Sequence, residues 1–253
     1  MTRVIMHGCN GKMGRVISEL IESDAEIEIV AGVDVYTQSE QSYPVFEKME
    51  LCDRDADVII DFASASAIDD LLEYSIAKQV PCVLCTTGLS EAQLKEVEKA
   101  SKKVAILKSA NMSLGINLLM KLLKSATSIL QPAGYDIEVV EKHHNQKLDA
   151  PSGTAIALAD AMKEEIEEPF EYTYDRSQVR EPRKKNEIGM SAIRGGTIVG
   201  EHDIIFAGID EVITFSHTAY SRAVFGKGAI QAGKYLKGKP AGYYTMSDVI
   251  EGV

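Results

Sequence analysis

Over the first ~110 residues the apolar positions alternate between short β-branched runs and longer amphipathic stretches. Runs at 3–7, 28–33, 58–62, 82–85 and 104–107 have the length and composition of strands. Between them, 12–23, 65–78 and 91–102 carry apolar residues at helical spacing; Leu71, Leu72 and Ile76 share one face. Strands that alternate with helices in this way predict a parallel sheet covered on its faces, a doubly wound α/β domain.

The rhythm then changes. A longer helix is expected over 114–130, stopped by the breaker cluster Gln131-Pro132-Ala133-Gly134. Beyond it, 135–143 reads as a strand and 152–167 as a helix. The stretches 188–194, 198–207 and 211–217 read as consecutive strands joined by glycine-containing turns such as Arg194-Gly195-Gly196. Short connections imply an antiparallel or mixed sheet, hence a second α+β domain. The stretch 221–237 is helical again and is expected to return to the first domain.

Composition narrows the function. With 27 basic and 38 acidic side chains the net charge is −11, which repels phosphate backbones and anionic lipid. Nucleic acid and membrane surface are therefore poor partners. No apolar run reaches the ~20 residues needed to span a bilayer, and the opening residues lack the shape of a signal peptide, so the expected location is cytoplasmic. Four cysteines do not make a disulfide framework, and Cys82-x-x-Cys85 falls in a short apolar strand with no second ligand pair, so it reads as core filler. The glutamates of 163–168 and the cluster Arg176, Arg180, Arg183, Lys184 and Lys185 read as solvated surface, the basic cluster keeping a lesser claim on an anionic substrate.

Candidate chemistry begins directly after the first strand. Gly8-Cys9-Asn10-Gly11-Lys12-Met13-Gly14 opens a helix, a place where missing Cβ atoms let backbone N–H groups approach a pyrophosphate under the helix dipole. The spacing is G-x-x-G-x-x-G rather than G-x-G-x-x-G, so its context carries the reading. Asp34, at the end of the second strand and twenty positions beyond Gly14, is placed to accept hydrogen bonds from an adenosine ribose. Its charge repels a 2′-phosphate, and Val35 and Tyr36 supply no offsetting cation. NADH is expected to be preferred and NADPH possible; Lys48, the nearest basic residue along the chain, would weaken that preference if its loop folded back. The remaining strand ends carry Asp61-Phe62-Ala63-Ser64, Thr86-Thr87-Gly88 and Ser109-Ala110-Asn111-Met112, candidates to hold the nicotinamide and its ribose.

The most chemically loaded stretch runs from Glu141 through His143, His144 and Lys147 to Asp149, Ser152, Gly153 and Thr154. Two histidines and a lysine in one loop of a strongly negative chain make a local sink for a carboxylate. Ser152 is suited to cap the next helix and Gly153 clears the way to its backbone N–H groups, where a second carboxylate could bind. Histidine is also the natural proton donor near neutral pH. Adjacent histidines at a strand end point to opposite faces, and no acidic or thiol partner is evident, so no metal site is expected. His7, His202 and His217 read as structural. The residues leave open another two-domain NAD-dependent oxidoreductase and a nucleotide-binding redox sensor without chemistry.

The segment His143-His144-x-x-Lys147-x-Asp149-Ala150-Pro151-Ser152-Gly153-Thr154-Ala155 resembles the signature of the 4-hydroxy-tetrahydrodipicolinate (dihydrodipicolinate) reductase family. The likeness extends to Gly8–Gly14, Asp61-Phe62, Thr86-Thr87-Gly88, Ala110-Asn111 and Arg194-x-Gly196-x-Ile198-Val199-Gly200-Glu201-His202. It implies a Rossmann-type dinucleotide domain built from both chain ends, 1–113 plus 222–253. It also implies a substrate-binding and tetramerisation domain at 114–221 on a mixed sheet, a cytoplasmic homotetramer, and a small dicarboxylate substrate of lysine biosynthesis. By that resemblance His143 donates the proton and Lys147 positions the substrate. His144 and the Ser152–Gly153–Thr154 helix start take the carboxylates, and Arg222 lies near the domain hinge. Cofactor contacts would fall on Gly8, Cys9, Asn10, Gly11, Lys12, Met13, Asp34, Phe62, Cys85, Thr86, Thr87, Ser109, Ala110, Asn111 and Met112. Two departures are visible: Val35 stands where relatives often have a basic residue, which argues against NADPH, and Met112 replaces a frequent phenylalanine.

Overall fold

The computed structural model describes residues 1–38 and 41–252. Two compact units emerge, one from Met1–Leu114 with the chain from Arg222 onward, the other from Gly115–Ser221.

The first unit is a parallel sheet of seven strands in the order β12-β6-β5-β4-β1-β2-β3. Its strands are β1 (Thr2–His7), β2 (Ile27–Val33), β3 (Val45–Phe46), β4 (Val58–Asp61), β5 (Cys82–Leu84), β6 (Ala105–Lys108) and, from the chain's end, β12 (Gly242–Tyr244). The helices are α1 (Lys12–Glu22), α2 (Ile68–Lys78), α3 (Glu91–Ser101), α6 (Ala223–Leu236) and α7 (Met246–Glu251). Alternation along each strand splits the core. Val4, Met6 and Ile60 pack with Ile17 of α1 and Leu236 of α6, while Ile5, Ile59 and Ile106 pack with Leu71 of α2 and Val97 of α3. The strands are apolar on both faces because both faces are covered. Helix α6 approaches so closely that a Cβ on Gly228 would lie 1.7 Å from the Met112 carbonyl oxygen, which pins the loop after β6.

The second unit is a mixed sheet in the order β11-β10-β7-β9-β8: β7 (Asp136–His143), β8 (Glu171–Thr173), β9 (Glu187–Arg194), β10 (Gly200–Ala207) and β11 (Val212–Ala219). Two helices accompany it, α4 (Leu114–Leu130) and α5 (Gly153–Lys163). Leu123, Leu158 and Met162 bury against Ile137, Val139, Ile204 and Phe206.

Several expectations need correction. The helix expected to reach residue 167 ends at Lys163, ahead of a glutamate-rich turn in which only Ile166 packs against the core. The stretches 188–194 and 198–207 are consecutive in sequence but not neighbours in the sheet: β7 lies between them, parallel to β9 and antiparallel to β10. The Gly195-Gly196 connection therefore crosses the end of β7, where the Gly195 N–H donates to the His143 carbonyl and the Asn145 N–H to that of Gly196. The basic cluster is only partly solvated surface. Arg176 and Arg183 fold back onto Glu138, 2.7 and 3.1 Å away, and Arg183 also meets Asp136.

Candidate active site

The turn after β1 leaves no room for side chains. Gly8 has φ +78°, and a Cβ there would come within 2.8 Å of the Phe62 backbone; one on Gly14 would lie 2.2 Å from the Gly8 carbonyl oxygen. Helix α1 starts at Gly11 without a side-chain cap, so its positive end is left to an anion. Both oxygens of Asp34 are engaged, one accepting from the Asn10 N–H and the other from the Tyr36 N–H, each at 3.0 Å. Asp34 thus fastens the glycine loop, and each oxygen keeps a lone pair for a further donor.

Beside this loop lies a cavity of about 500 Å³ whose lining includes Gly8, Asn10, Gly11, Asp34 and Phe62. Lys48 lines it too. Two-residue strand β3, absent from the sequence expectation, is the cause: Gly32 pairs with Val45 and Val33 with Phe46, and the Asp34 N–H donates to the Phe46 carbonyl. Lys48, two residues on, is carried back toward the position of Val35 and Tyr36.

The other candidate cofactor residues divide by exposure. Lys12 and Thr87 are exposed, Met13, Cys85, Ser109 and Asn111 half-buried, Ala110 exposed. Cys9 and Met112 put their side chains into the core, so a ligand would meet their backbone; burial drives the Cys9 thiol up to about 12. Burial likewise raises Cys82 and Cys85, consistent with unreactive apolar filler. Thr86 donates to the buried Asp61 carboxylate at 2.6 Å, and Asp61 also accepts from the Ala63 N–H, so one carboxylate ties together the loops after β4 and β5. Glycines without space for a Cβ, an uncapped helix start and an acidic residue at the second strand's end fit a dinucleotide.

In the second unit the chemistry gathers at the end of β7. Burial alternates along this strand, which sets Ile137, Val139, Glu141 and His143 on the covered face. Strand register then aligns His202 of β10 with Glu141 and Arg194 of β9 with His143. Glu141, 1% exposed, accepts two bonds from the Arg194 guanidinium at 2.7 Å each, one from the Ser152 N–H at 2.9 Å and one from His143 Nδ1 at 2.6 Å. Burial alone would raise its pKa, but these donors outweigh that and hold the carboxyl below its ordinary range. The sequence expectation gave neither Glu141 nor Arg194 a role. The signal was present: a glutamate on the apolar face of a strand must have a buried partner.

Ser152 caps α5, its hydroxyl accepting from the Ala155 N–H at 3.1 Å. The same hydroxyl lies 3.2 Å from Nε2 of His202. Burial, helped by His143, drives His202 down to about 4, which favours a neutral ring beside the cap. Lys147 and His144 are half-buried, Gly153 exposed. Lys147 Nζ lies 2.9 Å from the Asp149 carboxylate, which also accepts from the Gly153 backbone and is held below the usual carboxylate range, chiefly by Lys147. Asp149 therefore sits where the sequence expectation put a substrate carboxylate. Among the described residues no group of three or more His, Cys, Asp or Glu could hold a metal ion, and no helix is long and apolar enough to cross a membrane.

Residues 2–112 match the family described as "Dihydrodipicolinate reductase, N-terminus" and residues 115–250 the one described as "Dihydrodipicolinate reductase, C-terminus". A protein of Caldanaerobacter subterraneus subsp. tengcongensis named 4-hydroxy-tetrahydrodipicolinate reductase is 53% identical over 99% of both chains. One of Clostridium novyi with the same name is 49% identical over 99% of both. Among solved structures, dipicolinate-bound dihydrodipicolinate reductase from Paenisporosarcina sp. TG-14 superimposes with a TM-score of 0.79 at 24% identity, covering 97% of each chain. A probable dehydrogenase from Thermotoga maritima follows at 0.61 and 12%, covering 98% of this chain and 92% of that one. With both halves matched and the full length shared at about half identity, this chain belongs to the dihydrodipicolinate reductase family.

Proposed function

We propose that the protein reduces 4-hydroxy-tetrahydrodipicolinate to tetrahydrodipicolinate, with His143 as proton donor and with Lys147, His144 and the start of α5 at Gly153 and Thr154 gripping the two carboxylates. The observation that carries this reading is the His143 imidazole held by a buried carboxylate at 2.6 Å, in the same unit as a lysine and a helix start that already bind a carboxylate, that of Asp149. A reduced nicotinamide dinucleotide, when bound, supplies the hydride. The substrate gains that hydride and one proton and loses its hydroxyl as water, so atoms and charge balance. Lys147 and the α5 amides neutralise a dianion that a chain of charge −11 would otherwise repel, and fixing both carboxylates presents the ring in one orientation.

The test is oxidation of reduced nicotinamide by the protein with freshly generated 4-hydroxy-tetrahydrodipicolinate. Turnover supports the reading; binding of the dinucleotide without turnover sinks it. The family likeness also supports a cytoplasmic homotetramer, which light-scattering mass and fractionation measure directly.

For the dinucleotide, NADH is the preferred donor because Asp34 opposes a 2′-phosphate, and Lys48 is what admits NADPH. Lys48 is 60% exposed and its nearest carboxylate, Glu50, is 3.8 Å away, so its contribution is at the scale of a surface ion pair, about 1 kcal/mol or less. Lys48→Ala is therefore expected to raise KM for NADPH by roughly two- to fivefold and to leave KM for NADH unchanged. Equal effects on the two would remove Lys48 from the discrimination.

A further inference from the structure

We propose that Glu141 is the positioning residue of the catalytic imidazole: its carboxylate fixes which nitrogen of His143 delivers the proton, and ties that ring to the elements that take the substrate's carboxylates. The inference rests on the reading of His143 as proton donor and adds a residue to it.

A buried Glu141–Arg194 pair could serve the fold alone. Two bonds from the guanidinium, each 2.7 Å, would suffice for that. The remaining bonds are the informative ones. His143 Nδ1 donates to Oε2, and the Ser152 N–H, at the N-cap of α5, donates to Oε1. Arg194 continues the chain outward by donating to the Asp149 carbonyl at 2.6 Å, and Asp149 is the partner of Lys147. One carboxylate thus joins the imidazole, the helix start and the lysine-bearing loop.

With Nδ1 committed to Glu141, Nε2 is the nitrogen left to release a proton. Gly200 keeps space beside it, since a Cβ there would lie 3.1 Å from Nε2. After the proton leaves Nε2, the ring retains its Nδ1–H on Glu141 and is ready for reprotonation in the same orientation. Around His143 stand Glu141 on its own strand, Arg194 at the paired position of β9 and His202 on β10, whose ring centroid is 5.3 Å away. Of these, Glu141 is the one that bonds the ring directly. Removing its charge takes away the acceptor that holds the Nδ1 proton at 2.6 Å, so the ring loses the contact that fixes its tautomer and orientation.

Glu141→Gln should lower kcat at neutral pH by about ten- to a hundredfold, with KM for substrate and dinucleotide changed less than about threefold. Because Arg194 would be left buried without its partner, the double variant Glu141→Gln/Arg194→Leu, which removes both charges, is measured beside it with the same expectation. A kcat within threefold of the original in a folded variant overturns the proposal. Nitrogen-15 shifts of the His143 imidazole, recorded without substrate, separate this failure from failure of the functional reading. Positioning predicts an Nδ1-protonated ring in the unaltered protein and mixed tautomers in the variants, whatever the turnover. Identical tautomers in all of them refute it.

Discussion

His143→Gln lowers kcat by about 10²- to 10⁴-fold, the range in which a positioned general acid acts, while KM for the dicarboxylate changes little. Glutamine keeps the approximate size of imidazole and a hydrogen-bonding end, so the bonds that orient the substrate remain. What disappears is a titratable proton held beside the Glu141 carboxylate. Lys147→Ala is expected to behave differently. Its ammonium already binds a carboxylate in this structure, so its loss weakens binding and orientation together, and kcat falls while KM rises. Steady-state kinetics on the two variants settle the assignment, and a near-normal kcat for His143→Gln takes the proton-donor role away from that residue.

Gly14→Ala is expected to weaken dinucleotide binding, with KM for NADH rising by about ten- to a hundredfold. The added Cβ would lie 2.2 Å from the Gly8 carbonyl oxygen and 2.6 Å from that of Cys9. The three nearest atoms are all backbone, so no side chain can swing aside; the turn itself must open. Overpacking of this kind costs about 1–3 kcal/mol in a core, and here the distortion falls on the N–H groups that would face the pyrophosphate. Dinucleotide titration followed by fluorescence, with melting temperature as a check on folding, measures it. Retained affinity in a folded variant would show that the turn does not cradle the phosphates.

The doubly wound half was legible because its signal is long-range and repetitive: five strand-like runs at regular intervals, each apolar on both faces. Strands β3, β8 and β12 were not: they are two or three residues long and only partly buried, so they lack the fully apolar run that marks the equally short β5. That omission had chemical weight, since β3 is what returns Lys48 to the cavity beside Asp34. In the second half, the strands were visible as runs but their order was not. Periodicity identifies a strand without naming its neighbour, and β7 separates β9 from β10 only because the β7–α5–β9 crossover places parallel strands side by side.

The same distinction holds for the site. His143, Lys147 and Ser152 could be picked out by residue type and spacing. Arg194 could not, because its partnership with Glu141 depends on the pairing of β7 with β9 across some fifty positions of sequence. Asp34 was correctly placed at the end of β2, yet its grip on the Asn10 amide is a tertiary fact that no local pattern contains.

Asp149 gives ligand recognition an unusual thermodynamic footing. Lys147 and the Gly153 amide already hold its carboxylate, so a dianion arriving there does not fill bare donors. On the proposed reading it would evict an internal tenant, and its affinity would be the difference between two anions competing for one seat. Asp149→Asn, which leaves the seat with a neutral and weaker occupant, should bind pyridine-2,6-dicarboxylate several-fold more tightly in a calorimetric titration; weaker binding would mean that the resident carboxylate is needed to keep the seat in shape.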